Sequence, residues 1–479
     1  KAGIDAKAAL VMTSFNTLNG VPATGSKKLM RDILRDELGF DGVLISDWAA
    51  IEEMIYHGYC ADKEEAAIRA AKAGVDIDMM TGIYSDNLCR LVKEGKISED
   101  LVDECCMRIL ELKNKLGLFE HPYKDADEEK EKQVILCEEH RRLAREAARK
   151  SFVLLKNEGI LPLKKDTAAA LLGYGAEKTV KGGIGSGDVN NRKNISIYQG
   201  LKEAGVKIVS EDWISDYHNR YEQAREAWKE KVLEEAKKVD NPFDAYAENP
   251  FAMPLGRKVA EEDICEADVV IYVISRISGE GKDRRKVKGD YYLSEREEED
   301  LRYLAEMNKP VILILNAGGP VELTDILEQT DNIKGILNIS QLGQEGGDAL
   351  ADVLLGKEVP GGKLTTTWAR RYEDYPASEE YGYLNGNLEK EKYKEGIYVG
   401  YRYFDSFDKK VMFPFGFGLS YTMFEMKCCS INMEESKIRA EVQVTNTGNE
   451  YAGKEVVQIY VTLPQTELEK EYKRLAGFP

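Results

Sequence analysis

DVVIYVIS at 268–275, followed by PVILILN at 310–316, decides the fold. Both are near-continuous apolar runs, and the residues between them include a helical pattern at 295–307. Strand–helix–strand alternation with strands apolar on both faces signals a parallel sheet covered by helices. Outward from this unit the alternation continues. Upstream lie SFVLLKN at 151–157, TAAALLGYG at 167–175 and VKIVS at 206–210, with a helix at 219–238; downstream lies IKGILNIS at 333–340. Residues 151–385 are therefore expected to form an α/β domain, a mostly parallel doubly wound sheet.

Toward the amino end, AALVMTSF at 8–15, GVLISD at 42–47 and VDIDM at 75–79 read as strands. Helical patterns fall at 27–38, where Ser26 is a cap and Gly39 a stop, and at 62–73, 85–94 and 98–116. Gly20-Val21-Pro22 marks a turn. Only about three strand–helix units fit before residue 120, whereas a (β/α)8 barrel needs eight strands and roughly 250 residues. Residues 1–120 are either a small open sheet or the later part of a barrel. The charged, helical stretch 121–150 reads as a linker.

Toward the carboxyl end, 372–404 is tyrosine-rich (Tyr381, Tyr383, Tyr398, Tyr401, Tyr403) and FPFGFGLSYT at 413–422 is irregular and aromatic. Residues 386–423 are read as a connecting segment. Alternating strands at 424–431, 437–445 and 454–462 give antiparallel patterning over 424–479. That is about three strands, where a β-sandwich needs about seven.

Composition narrows the function. At roughly 150 residues per domain, 479 residues correspond to about three domains. A formal charge of −18 excludes a phosphate-facing surface and so argues against nucleic acid as a partner. No run approaches the ~18 apolar residues of a membrane span. The eight cysteines include no CxxC and no zinc-ligand spacing, so they are expected as reduced, buried thiols in a reducing, cytoplasmic setting. The chain does not begin with Met, and its first segment is not a signal peptide. Four histidines lack HxxxH or HExxH spacing, which leaves no metal site, and no GxSxG elbow supports serine hydrolase chemistry.

Three places carry candidate chemistry. Asp47 stands at the carboxyl end of the second strand, the edge where parallel sheets gather reactive groups; a helix cap or turn residue is the plainer use of an Asp there. Trp48 beside it suits stacking against a sugar ring. Gly182–Asp188 is glycine-rich but has neither the P-loop ending nor GxGxxG opening a helix, and reads as a close-approach loop. Ser275–Arg285 follows a strand and sets Glu280 between two glycines, either to project a carboxylate or as a solvated charged loop.

An ordered set of segments resembles glycoside hydrolase family three, in its β-glucosidase/β-xylosidase branch. These are MTSFNTLNGVPA (12–23), GFDGVLISDW (39–48), AGVDIDM (73–79), GKISEDLVDE (95–104), KLGLFEHPY (115–123), SFVLLKNEGILPL (151–163), GQEGGDALADVLLGKEVPGGKL (343–364), EGIYVGYRYFD (395–405) and FPFGFGLSYT (413–422). The resemblance runs from residue 1 to beyond 460. It implies the C-terminal part of a (β/α)8 barrel, an α/β sandwich and a partial fibronectin-III-like β-sandwich.

The resemblance further implies a retaining, exo-acting β-glycoside hydrolase, a β-glucosidase first of all, with Asp47 as nucleophile and Glu280 as acid/base. Trp48 and Ser186 are implied to meet the sugar. Phe15 stands where the family usually has a Tyr that hydrogen-bonds the nucleophile. Retaining chemistry needs the two carboxyls roughly 5–5.5 Å apart. Glu280 is expected protonated at rest, raised by burial and by the opposing negative charge. No cofactor is required. The expected partners are an oligosaccharide or aryl β-glycoside, the missing barrel segment on the same or another chain, and a second copy in a homodimer. The residues by which the family grips the nonreducing sugar fall upstream of residue 1. A β-xylosidase or α-arabinofuranosidase of the same family and a nonhydrolytic carbohydrate-binding fragment are the alternatives.

Overall fold

The computed structural model describes every residue except 124–125, 240–244, 247, 281–282, 382–389, 436 and 479. The fold is mixed α/β and divides into two units, Lys1–Val134 and Ile135–Pro479.

In the first unit, β1 (Leu10–Met12) carries on through a small hairpin of β2 (Thr17–Leu18) and β3 (Val21–Pro22), with Gly20 at φ +82° in its turn. β4 (Val43–Ile45) runs parallel to β1, pairing Leu10 with Val43 and Met12 with Ile45, and Ile45 bridges in parallel to Ile77. The strands expected at 8–15 and 42–47 are thus present but short, and the one expected at 75–79 is reduced to that single bridge. One reason is that a side chain takes over part of the pairing. The Asp76 carboxylate accepts the Leu44 N–H at 2.7 Å, and Leu44 returns its carbonyl to the Asp76 N–H at 2.7 Å.

That carboxylate is fully buried and is matched by two guanidinium groups, Arg35 at 3.0 Å and Arg108 at 2.7 Å. Glu104 answers the surplus positive charge, accepting from both nitrogens of Arg31 at 3.1 Å. The Arg31 hydrogen bonds, aided by Arg108, pull Glu104 down to about 2 against the opposing effect of burial. A buried charge is tolerable only when paired and hydrogen-bonded in this way.

Helices cover the strands. Lys28–Glu37 winds with the wider i→i+5 spacing, and Ser26 Oγ accepts the Leu29 N–H at 3.3 Å. Lys63–Ala73 is capped by Asp62, which accepts the Glu65 N–H at 2.9 Å, and is closed by Gly74 at φ +92°. Ile83–Lys93 and Glu99–Lys115 follow, close to the sequence expectation. A further helix, Ala50–Tyr56, lies directly after Asp47 and was not expected. Leu44, Ile51, Met54 and the alanines 66, 67 and 70 form the core.

In the second unit, β5 (Val153–Asn157), β6 (Ala168–Leu172), β7 (Lys207–Ile208), β8 (Val269–Ser275), β9 (Val311–Asn316) and β10 (Ile333–Asn338) form one sheet in the order β5-β10-β9-β8-β6-β7. All pairs are parallel except β5 with β10. β6, β8 and β9 are buried on both faces, as their unbroken apolar runs require. β7 is only two residues long because it sits on the edge, with Lys207 in solvent. The helix expected at 219–238 begins earlier and spans Glu211–Ala236.

Glu295–Glu306 starts on a reciprocal cap. Ser294 Oγ accepts the Glu297 N–H at 3.2 Å, and Glu297 accepts the Ser294 N–H at 2.8 Å. Within the stretch read as a linker, the helix Glu138–Ser151 belongs to this unit. Its Arg141 pairs with Glu345 at 2.8 Å, and its Arg145 with Asp352 at 2.7 Å and Asp348 at 3.1 Å.

β11 (Trp368–Ala369) and β12 (Val411–Phe413) pair antiparallel. β13 (Phe424–Glu434) and β14 (Lys437–Asn446) form a long antiparallel ribbon. The strand expected at 454–462 shrinks to β15 (Ile459–Val461), which pairs with β16 (Arg474–Gly477) and not with the ribbon. Tyr383 and the expected boundary at 385/386 lie outside the described residues.

All eight cysteines are free thiols, but only Cys60 and Cys105 are buried, which corrects the expectation of buried thiols. Cys89, Cys106, Cys265, Cys428 and Cys429 are exposed because they sit on water-facing sides of helices, a helix end and the ribbon. Among the described residues, no helix is long and apolar enough to cross a membrane.

Candidate active site

Asp47 is placed by the end of β4. Ser46, fully buried, donates its N–H to the Ile77 carbonyl at 2.9 Å and accepts the Met79 N–H on Oγ at 2.8 Å. The chain then leaves the sheet. Asp47 Oδ1 accepts the Trp48 N–H at 2.7 Å, and the Asp47 carbonyl accepts the Ala50 N–H at 3.1 Å to begin the next helix. Ala49 is held at φ +58°, a left-handed turn that an Ala adopts reluctantly. Asp47 is therefore a turn residue and a strand-end acid at once. Its side chain is half-buried, and the Trp48 indole beside it is 60% exposed.

Two neighbours share that edge. Thr13 continues the β1 pairing by donating its N–H to the Ile45 carbonyl at 2.9 Å, so Phe15, two residues on, lies at the same carboxyl end. Phe15 is half-buried, and its carbonyl accepts from His57 Nε2 at 3.0 Å. Asp78 follows the Ile77 bridge and accepts from Thr81 Oγ1 at 2.7 Å and from the Tyr84 N–H at 3.3 Å. Sequence reasoning passed over Asp78 and His57; the second acid of VDIDM was the available signal for the former.

Glu280 is placed by β8. Ser275 ends that strand, and Arg276 anchors the loop that follows. The Arg276 side chain, 2% exposed, is paired at 2.8 Å with a Glu297 that is 1% exposed, and it donates to the Tyr292 carbonyl at 3.2 Å. Gly279 then bridges in parallel to Ile184, with Ile184 N–H to Ser278 carbonyl at 3.3 Å and Glu280 N–H to Ile184 carbonyl at 3.2 Å. The approach needs glycine. A Cβ on Gly279 would stand 2.4 Å from the Ile184 backbone, and one on Gly185, at φ +86°, would stand 2.6 Å from Glu280 Cβ. Beyond residues 281–282, which lie outside the described residues, Arg284 fastens the loop to Asp290 and to the Pro320 carbonyl.

The state of Glu280 differs from expectation. It is exposed, and Oε2 accepts the Ser186 N–H at 2.8 Å. The Ser186 hydroxyl and then this N–H hold its carboxyl below the ordinary glutamate value, so the expected rise through burial is corrected. A carboxylate that receives hydrogen bonds favours its charged form. The structure engages Ser186 with Glu280, and it gathers Asp47, Trp48 and Phe15 at one strand edge.

Two clefts contain none of these residues. One, of about 380 Å3, opens at the amino ends of β1 and β4 between Ala9, Gly42 and Arg108, opposite to Asp47. The other, of about 580 Å3, is lined by Tyr372, Tyr375, Tyr401 and Phe415. Among the described residues no cluster of three or more His, Cys, Asp or Glu side chains is placed to hold a metal ion.

The fold is thus that of an α/β protein of two units, each presenting an acid beyond the carboxyl end of a parallel strand. Residues 1–112 match the glycosyl hydrolase family 3 N terminal domain, and residues 152–421 match the glycosyl hydrolase family 3 C-terminal domain. The chain belongs to glycosyl hydrolase family 3.

It is similar to a periplasmic β-glucosidase of Salmonella typhimurium, 34% identical over 100% of this chain and 61% of the relative. It is also similar to the thermostable β-glucosidase B of Acetivibrio thermocellus, 32% identical over 98% of this chain and 55% of the relative. Among solved structures, β-glucosidase 3B of Thermotoga neapolitana in complex with α-D-glucose superposes with a TM-score of 0.82 at 34% identity, over 100% of this chain and 64% of that one. The chain therefore spans less than two thirds of the length of these relatives.

Proposed function

We propose that this chain carries both catalytic carboxyls of a retaining, exo-acting β-glucosidase. The observation that supports this most is the placement of Asp47 at the strand edge, beside an exposed Trp48, in a chain similar over its whole length to named β-glucosidases. In this reading residues 1–120 supply the later part of a (β/α)8 barrel, and its other strands come from sequence outside this chain or from another polypeptide. Residues 151–385 are the α/β sandwich and 424–479 part of a fibronectin-III-like sandwich.

The reaction assigns each residue one task. The Asp47 carboxylate attacks the anomeric carbon while the glycosidic C–O bond breaks, its electron pair passing to the leaving oxygen, which takes the Glu280 proton. Glu280, now a carboxylate, removes a proton from water as that water attacks the same carbon, freeing Asp47 and releasing the sugar. The Trp48 face stacks on the sugar ring, and Phe15 walls the same edge. With no phenol at position 15, the donor that the structure supplies to Asp47 Oδ1 is the Trp48 N–H.

Incubation of the natural protein with a 2-deoxy-2-fluoro-β-glucoside tests the reading. The expected result is a stable covalent adduct, mapped by peptide mass spectrometry to Asp47. Label on a different carboxyl, or turnover of β-glucosides with no adduct, overturns it.

A further inference from the structure

We infer that Ser186 is a positioning residue that clamps Glu280 to its own unit, so that Glu280 rests as a carboxylate and takes up its proton only once the clamp opens. The inference rests on the acid/base reading of Glu280 for its role in catalysis, but the clamp itself is read from geometry alone.

Three features build it. The backbone bridge from Ile184 to Gly279 fixes the two loops side by side, with N–H donated in each direction. Gly185, at φ +86°, turns the chain so that the next N–H, that of Ser186, points at Glu280 Oε2 from 2.8 Å. The loop root is immobilised by the buried Arg276–Glu297 pair, so the contact is not a chance meeting of two surface side chains.

The charged neighbours on the described parts of the two loops are largely engaged elsewhere. Lys181 pairs with Asp188 at 3.4 Å, Arg284 with Asp290, Lys286 with Glu373 at 2.5 Å and Lys288 with Glu298 at 3.4 Å. Arg192, Lys193, Asp283 and Arg285 complete the charges on these described stretches. The hydrogen bonds from Ser186 therefore dominate the state of Glu280, and they favour the ionised form. A carboxylate so held is ready to serve as the base toward water. As an acid toward a poor leaving group it must first let go of Ser186 and be reloaded.

The test follows Glu280 directly in the full chain. Side-chain carboxyls are labelled with 13C on glutamate, the Glu280 resonance is identified by its loss in Glu280→Gln, and its titration is read by NMR. Glu280 is expected to titrate below the ordinary glutamate value of 4.5. Ser186→Ala, which removes the hydroxyl at an exposed position, is expected to raise its proton affinity by roughly two- to threefold.

Gly185→Ala, whose Cβ would strike Glu280, is expected to raise it by about tenfold in protein whose other glutamate resonances are unmoved. Titration of the unaltered protein at or above the ordinary value, or no change in Gly185→Ala, overturns the clamp. An Asp47 adduct with an unclamped Glu280 would retain the glycosidase reading and discard this one; the opposite pair of results would do the reverse.

Discussion

Asp47 and Glu280 are both strand-end acids, yet their settings differ. Asp47 follows a strand stitched to its neighbours by Ser46, Thr13 and the buried Asp76, and its own turn launches a helix. Glu280 stands at the tip of an exposed loop, fixed at its root by Arg276 but touching its partner loop through glycines and the Ser186 N–H. A nucleophile gains from a fixed position, because misplacement by about 1 Å can cost roughly 10²-fold in rate. A group that must both give and take a proton gains from a setting that can change. The contrast is between a carboxylate defined by its surroundings and one defined by what it is released from.

The sharpest way to break this contrast is Asp47→Ala in the natural protein. Loss of kcat on aryl β-glucosides by about 10⁴-fold or more is expected from steady-state assays, since in the proposed mechanism Asp47 forms the covalent bond. Glu280→Ala should cost less and unevenly. About 10²- to 10⁴-fold is expected for poor leaving groups, and markedly less in bond cleavage for a dinitrophenolate that needs no proton. Equal losses across the leaving-group series would remove the acid role.

The supports beneath the two acids are tested next. Asp76→Ala would leave Arg35 without its carboxylate and Arg108 with Glu104 alone, and Glu297→Ala would strand Arg276; each is expected to cost about 3–5 kcal/mol in denaturant unfolding of the affected unit. The smallest effect concerns acid. Glu104 is held at about 2 in the fold against 4.5 ordinarily, so its contribution is fully present above pH 4.5 and is lost as pH falls toward 2. Glu104→Gln should flatten the stability of Lys1–Val134 across that window, followed by thermal unfolding at stepped pH.

Much of the larger unit was legible because β8 and β9 are buried on both faces and leave no doubt in an apolar run. β7 was over-read because VKIVS looks like a strand, whereas ladder pairing covers Lys207 and Ile208, and Ser210 then turns its side chain onto the Leu171 backbone. The helix Ala50–Tyr56 escaped because it starts from a left-handed Ala49 with no capping side chain to announce it. At the candidate site, the strand-end position of Asp47 and the glycine-flanked Glu280 were both readable from local pattern. The clamp was not. It joins residues 94 apart through a backbone N–H, and a donor that every residue but proline carries leaves no trace in residue type.

The β13–β14 ribbon carries one last consequence. Its register stacks Met426 on Val444, Cys428 on Val442, Ile431 on Ala440 and Met433 on Ile438, so one side is greasy along its length, with Met433 80% exposed. Water wets such a stripe poorly, and a second sheet packed across it would take it out of solvent. Read as part of a fibronectin-III-like sandwich, the ribbon thus presents the side that the sandwich's other sheet would cover.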